Sequence, residues 1–221
     1  GDGIQLSGNQ FTLATAMAAR VRDDAMGRLL TETLARDGCD VSHVSIDPAR
    51  LTACVVLGIK DRDTFPLIFY RENCADMAVT EDDVAEDFLA QARALLITGT
   101  HFSTEHVHRV STTALERARR NGVRTVLDVD YRPVLWGLTK RGDGETRFIA
   151  NDAVTTHLQS ILPLFDLVIG TVEEFAIAGG STDIIAALTA VRTVTPATLV
   201  VKRGPMGCAV IDGPIPRSLD D

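Results

Sequence analysis

The sequence predicts an α/β protein built on a doubly wound, mainly parallel sheet, and three observations support that prediction. Short β-rich runs alternate with longer helical patterns, as in successive βαβ units. Two of the helical patterns stop at glycine, ARDG from residue 35 and ARRNG from 118, and each leads into an apolar residue that opens the next element. One pair of strands breaks the alternation with no helix between its members, which reads as a β-hairpin.

In chain order, the first helix is expected around 24–37 (DAMGRLLTETLARDG). LTACVVLGI from residue 51 and PLIFYR from 66 are strands joined by the charged turn KDRDT, so that 51–72 forms the hairpin, either an edge extension of the sheet or a lid over its mouth. A helix follows over 81–93, with Thr80 as its N-cap and the acids of TEDD complementing its dipole. From ALLITG at 94 the rhythm is regular. Strands VRTVLDVD at 123, DLVIGT at 166 and ATLVVKRG at 197 alternate with helices over 103–121, 153–163 and 182–194. The last residues, DGPIPRSLD and Asp221, read as a loop or linker. The chain is expected to be one incomplete α/β domain over 1–221, because it ends without a closing strand or helix and its first fifty residues supply few strands.

Composition narrows the function. The 221 residues are 45% hydrophobic, 24% charged and 5% aromatic, an ordinary globular balance rather than a disordered or collagen-like one. No apolar run approaches the roughly 20 residues of a membrane span, and the start lacks a signal-peptide pattern, so the expected compartment is the cytoplasm, with no membrane partner. A formal charge of −8 disfavours nucleic acid, whose binding needs clustered Lys and Arg, while leaving room for a compact anion held by a few cations. Cys39, Cys54, Cys74 and Cys208 form no CxxC pair and read as buried or half-buried thiols.

Ligands of open parallel sheets bind beyond the carboxyl ends of the strands. One such end carries Asp128, Asp130 and Arg132, with alternation placing the two acids on one face and the arginine where a loop aims it at an anion; a salt-bridged cap on the sheet is the alternative. Another carries Thr171, Glu173 and Glu174 at a helix start, either a favourable first turn or a carboxylate that orders magnesium through water. A third runs through Lys202, Gly204 and Gly207, where two glycines let backbone N–H groups approach phosphate, unless the segment is simply a tight hairpin into CAVIDG. Tyr70 and Arg71 close the first hairpin, the arginine set to clamp a carboxylate or to pair with Glu72. His101, Glu105, His106 and His108 lack metal-ligand spacing and read as an exposed helix start, while the absence of GxSxG and of an early GxGxxG argues against a serine hydrolase and a dinucleotide enzyme.

Taken together, VRDDAMGR at 21, FYRENCAD at 69, VLDVDYRPVLW at 126, GTVEEFAIAGG at 170 and VVKRGPMGC at 200 resemble the ribokinase-like (PfkB) sugar kinases. The resemblance is greatest to the members that phosphorylate 5-dehydro-2-deoxygluconate in myo-inositol catabolism, followed by 2-keto-3-deoxygluconate kinases. It implies a Rossmann-like fold with a small β-lid and the conversion of 5-dehydro-2-deoxy-D-gluconate to its 6-phosphate, with ATP and magnesium. Tyr70 and Arg71 would then be lid contacts to the sugar acid, Asp128 and Asp130 would line its site, and Arg132 would meet its carboxylate or the phosphates. Thr171, Lys202, Gly204 and Gly207 would flank the nucleotide. Glu174 would match the glutamate of the family's NxxE motif on magnesium, with Thr171 where the asparagine stands.

The resemblance also predicts departures. The general base belongs to a GAGD segment expected beyond Asp221, so no catalytic base falls within the chain and a non-catalytic sugar- or nucleotide-binding remnant is the alternative. The early substrate motif survives only as Gly8 and Asn9, a family strand is missing between Ala19 and Val21, and Arg22 stands where VGDD has glycine. Lid strands of such folds often pair between subunits, so a homodimer is compatible by analogy.

Overall fold

β-branched and aliphatic runs too short for helices form strands, and each longer amphipathic run forms a helix between them. The computed structural model describes residues 13–59, 61, 66–139 and 148–220. Gly8, Asn9, most of the KDRDT turn and Asp221 lie outside the described residues. The chain divides into two compact units, one of 1–53 with 73–79 and one of 54–72 with 80–221.

The first unit holds β1 (Thr15–Ala16), β2 (Ala19–Val21), α1 (Ala25–Arg36), β3 (Cys39–Asp40) and β4 (Val44–Ile46), paired in parallel as β1 with β3 and β2 with β4. The stretch Ala19–Val21, where a strand was expected to be missing, is therefore itself a short strand. Asp24 caps α1 by accepting the Gly27 N–H at 2.7 Å and the Thr52 hydroxyl at 2.9 Å, and the Gly27 N–H bond is the first cause of its lowered pKa. A side chain on Gly27 would meet the Arg22 carbonyl at 2.0 Å, which fixes glycine there.

The second unit opens with the hairpin of β5 (Cys54–Leu57) and β6 (Leu67–Tyr70), antiparallel with Cys54 opposite Tyr70. The strand expected from residue 51 starts three residues later, because Thr52 is spent on Asp24 and the Leu51 carbonyl on the Ala75 N–H. The helix expected over 81–93 shrinks to α2 (Glu86–Leu89). Thr80 is not its N-cap: its N–H and hydroxyl both donate to the Asp83 carboxylate, which closes a turn. Arg117 then takes the carbonyls of Glu81 and Val84, acceptors that a helix would have used.

The sheet comprises β7 (Ala94–Thr98), β8 (Arg124–Asp128), β9 (Leu167–Thr171), β10 (Thr198–Lys202) and β11 (Cys208–Ile211), in the spatial order β11-β10-β9-β8-β7. Its first four strands are parallel and β11 is antiparallel to β10, so the sheet is mainly parallel as expected. Between the strands run α3 (Glu105–Arg120), α4 (Asp152–Ile161), α5 (Val172–Gly179) and α6 (Ile184–Val194). Leu127, Val168, Leu199 and Val201 pack with Leu158, Phe175 and Leu188 in one core. No single helix among the described residues is long and apolar enough to cross a membrane; only α5 and α6 together, bent by 57°, pass that test, and both contribute residues to this core.

Residues 212–220 form a loop, as expected, but a fastened one: Arg203 donates to the Leu219 carbonyl at 2.8 Å, and Ile215 and Leu219 pack on the core. The four cysteines form no disulfide with one another, and Cys208 is exposed rather than buried.

Candidate functional site

Parallel pairing in register brings the carboxyl ends of β8, β9 and β10 side by side. Asp128 is the last residue of β8, and the Val129 N–H makes one more bond, to the Ile169 carbonyl at 2.8 Å. Asp130 then takes a positive φ of 35°, which turns the chain out of the ladder. The two acids thus share a cluster by way of this turn, not by strand alternation. Gly99, after β7, lies so close that a side chain would meet the Val129 carbonyl at 2.1 Å, so the ends of β7 and β8 approach at glycine distance.

Glu174 organises the cluster. Thr171 caps α5 through a reciprocal capping box, its hydroxyl accepting the Glu174 N–H at 3.2 Å while Glu174 Oε2 accepts the Thr171 N–H at 2.8 Å. The other oxygen, Oε1, accepts the Tyr131 N–H at 3.2 Å, tying the β8 loop to the start of α5. Glu174 is 3% exposed, and its burial raises the carboxyl pKa against the opposing pull of the Thr171 N–H, Lys202 and Arg132.

Two cations complete the arrangement. Lys202 Nζ donates to Asp128 at 3.0 and 3.4 Å and stands 4.0 Å from Glu174 Oε2. Arg132 Nη2 pairs with Asp130 at 2.6 Å, while its Nη1 reaches the Tyr131 carbonyl at 3.0 Å and Glu174 Oε1 at 3.8 Å. A guanidinium has five N–H donors, so this fork keeps capacity for a further anion. The salt-bridged cap and the anion site weighed as alternatives are therefore compatible in one structure.

The sequence-predicted residues divide accordingly. Asp128, Asp130, Arg132, Thr171, Glu174 and Lys202 come together. Gly204 and Gly207 hold φ values of 58° and 81° in a tight turn that the Arg203 N–H closes on the Gly207 carbonyl at 2.8 Å, so the hairpin reading of that segment describes its backbone. Tyr70 and Arg71 stand at the end of β6, with Tyr70 61% exposed. Sequence reasoning missed Tyr131, which is 1% exposed, donates its hydroxyl to the Ile149 carbonyl at 2.8 Å and has its phenol pKa pushed up to about 12 by burial. The capping role of Glu174 was signalled by the T-x-x-E spacing from Thr171. His108 is not part of an exposed helix start: its ring packs edge-on against Phe102 and His157, at 5.6 and 4.9 Å between centroids.

Among the described residues, no group of three or more His, Cys, Asp or Glu side chains is placed to hold a metal ion. Both carboxylate oxygens of Glu174 are engaged by backbone N–H groups, those of Tyr131 and Thr171.

The pattern of the family described as pfkB family carbohydrate kinase matches residues 4–216. The 5-dehydro-2-deoxygluconokinase of Geobacillus thermodenitrificans is 35% identical over 164 residues, 74% of this chain and 45% of that protein. The 5-dehydro-2-deoxygluconokinase 2 of Bacillus cereus is 32% identical over 78% of this chain and 48% of its own length. The chain thus spans about half the length of these relatives. Among solved structures, a PfkB protein from Polaromonas sp. JS666 superposes with a TM-score of 0.75 at 25% identity, covering 90% of this chain and 63% of that one. A fructokinase from Vibrio cholerae, bound to fructose, ADP and calcium, gives a TM-score of 0.74 at 20% identity over 93% of this chain and 61% of that one, and shares its fold.

Proposed function

This chain belongs to the pfkB carbohydrate kinase family, and from that premise we propose that it is part of a single-domain, ATP-dependent kinase acting on a keto-deoxy sugar acid, 5-dehydro-2-deoxy-D-gluconate, to give its 6-phosphate in myo-inositol catabolism. The observation that carries the reading is Arg132, a guanidinium fork held at the strand ends by Asp130 and backed by Glu174. A sugar acid presents a carboxylate that such a fork accepts in bidentate fashion, whereas a neutral sugar would call for amides and acids. Tyr70 and Arg71, on the 51–72 hairpin read as a lid, would add contacts to the same substrate, and Asp128 and Asp130 would line its site. Thr171, Lys202, Gly204 and Gly207 would flank ATP.

In the reaction, the sugar hydroxyl oxygen bonds to the γ-phosphorus as the bond to the bridging oxygen of ADP breaks, and the hydroxyl proton passes to a general base. By the family resemblance, that base would belong to the GAGD segment expected beyond Asp221. Magnesium bound with the nucleotide neutralises phosphate charge, and Glu174 would hold it through water. The residues of this chain do the positioning: Glu174 fixes the β8 loop on α5, Arg132 orients the acid, and Lys202 sets a positive charge on the β10 side. A cytoplasmic location, where ATP is available, is compatible with the reading, as is a homodimer through the lid strands.

ADP release by the product of the encoding gene, with magnesium and ATP, tests the proposal. It should be greatest with 5-dehydro-2-deoxygluconate. A preference for 2-keto-3-deoxygluconate would move the assignment to that acid, binding without ADP release would make the protein a non-catalytic sugar binder, and neither binding nor turnover with any keto-deoxy sugar acid would overturn the reading.

A further inference from the structure

Beyond the charged cluster lies a row of rings that meets it at Arg132. The turn Pro133–Trp136 begins at the residue after Arg132 and ends on Trp136, whose indole stands edge-on to His157 of α4 at 5.2 Å between centroids and 72° between planes. His157 stands edge-on to His108 of α3 at 4.9 Å, and His108 to Phe102 at 5.6 Å. Edge-on contact is an arrangement that ring pairs favour, and the row ties the short turn to α4 and α3.

The two imidazoles are unusual occupants of such a row. His108 Nδ1 and His157 Nε2 are buried with no hydrogen-bond partner. The groups that act on the His157 ring are His108 from α3, a like charge whenever both are protonated, and the Phe102 backbone, which favours the proton; Trp136 brings no charge. Burial, then His108, lowers the His157 pKa below its ordinary 6.5. A second proton on His157 would have to sit on the partnerless Nε2, so the seated arrangement favours the neutral ring and an unseated one favours the cation.

We propose that His157, supported by His108, is a positioning residue for Arg132: with its ring neutral it seats Trp136 and holds the turn that follows the arginine, and protonated it releases that turn and weakens sugar-acid binding. The inference rests on the sugar-acid reading of Arg132 given above. By linkage, a ligand that binds the seated form better must also disfavour the proton on His157.

Trp136 is the chain's single tryptophan, so its emission reports the contact directly. Between pH 8 and 5 the wild type should show a fluorescence titration with a midpoint below 6.5 that is absent in H157F, which keeps an aromatic edge but takes no proton. Affinity for 5-dehydro-2-deoxygluconate should fall about tenfold in the wild type from pH 7 to 5 and stay flat in H157F, while H157A should raise KM at every pH and leave kcat alone. Identical pH profiles for wild type and H157F in the presence of demonstrable sugar-acid binding would overturn this proposal alone. No sugar-acid binding at any pH would overturn the reading of Arg132 and the proposal with it.

Discussion

Glu174→Ala should lose roughly 2–6 kcal/mol of stability, the cost of orphaning two backbone donors at about 1–3 kcal/mol each. Those donors are the N–H groups of Thr171 and Tyr131, one on each carboxylate oxygen, and truncation leaves both without an acceptor. It also strips Arg132 and Lys202 of their shared backing, although Asp130 and Asp128 still pair with them. Glu174→Gln should cost much less, because it keeps one acceptor oxygen and escapes the desolvation of a buried charge. That desolvation is the first cause of the raised Glu174 pKa and gives the comparison a pH dependence. A carboxyl whose folded pKa is raised contributes stability that is full below the ordinary value of 4.5 and is lost as the pH rises through the raised value. The wild type should therefore gain on Glu174→Gln as the pH falls through that window. Denaturant titrations of the three proteins at several pH values check this, and equal stability of Glu174→Ala and wild type would show that Glu174 does not clamp the loop.

Arg132→Ala should weaken binding of the sugar acid by about 1.5–3 kcal/mol, or roughly ten- to 150-fold, the worth of hydrogen bonds to a charged group. Stability should change little, since the guanidinium is about one-third exposed and its loss leaves the Asp130 carboxylate, about one-quarter exposed, with access to water. Arg132→Lys should fall between, since an ammonium keeps the charge and loses the fork. Titration calorimetry with 5-dehydro-2-deoxygluconate separates the three, and an unaltered affinity in Arg132→Ala would remove the arginine from the substrate site.

Much of this site was legible in the sequence because it hangs on local patterns. A β-rich run that ends in charged residues marks the carboxyl end of a strand, and in a parallel sheet those ends must lie together, so Asp128, Thr171 and Lys202 converge whatever the details between them. What remained hidden depends on residues distant in the chain. The helix expected from TEDD fails because Asp83 folds back on Thr80 and because Arg117, more than thirty positions away, takes two of its carbonyls. The turn at Asp130 needs a positive φ that no glycine advertises. The pairing of His108 with His157 joins α3 to α4, and nothing in the spacing of either histidine announces it. Glu174 stands between these cases, since its capping spacing is written in the sequence but its second bond, to Tyr131, depends on the loop after β8.

The central claim is that Arg132 selects an acid, and the most direct test compares binding of 5-dehydro-2-deoxygluconate with binding of its carboxamide, which has the same shape and no charge. A carboxylate that binds at least about tenfold more tightly to the wild type, with the difference abolished in Arg132→Ala, is the expected result. Equal binding of acid and amide to the wild type would contradict it.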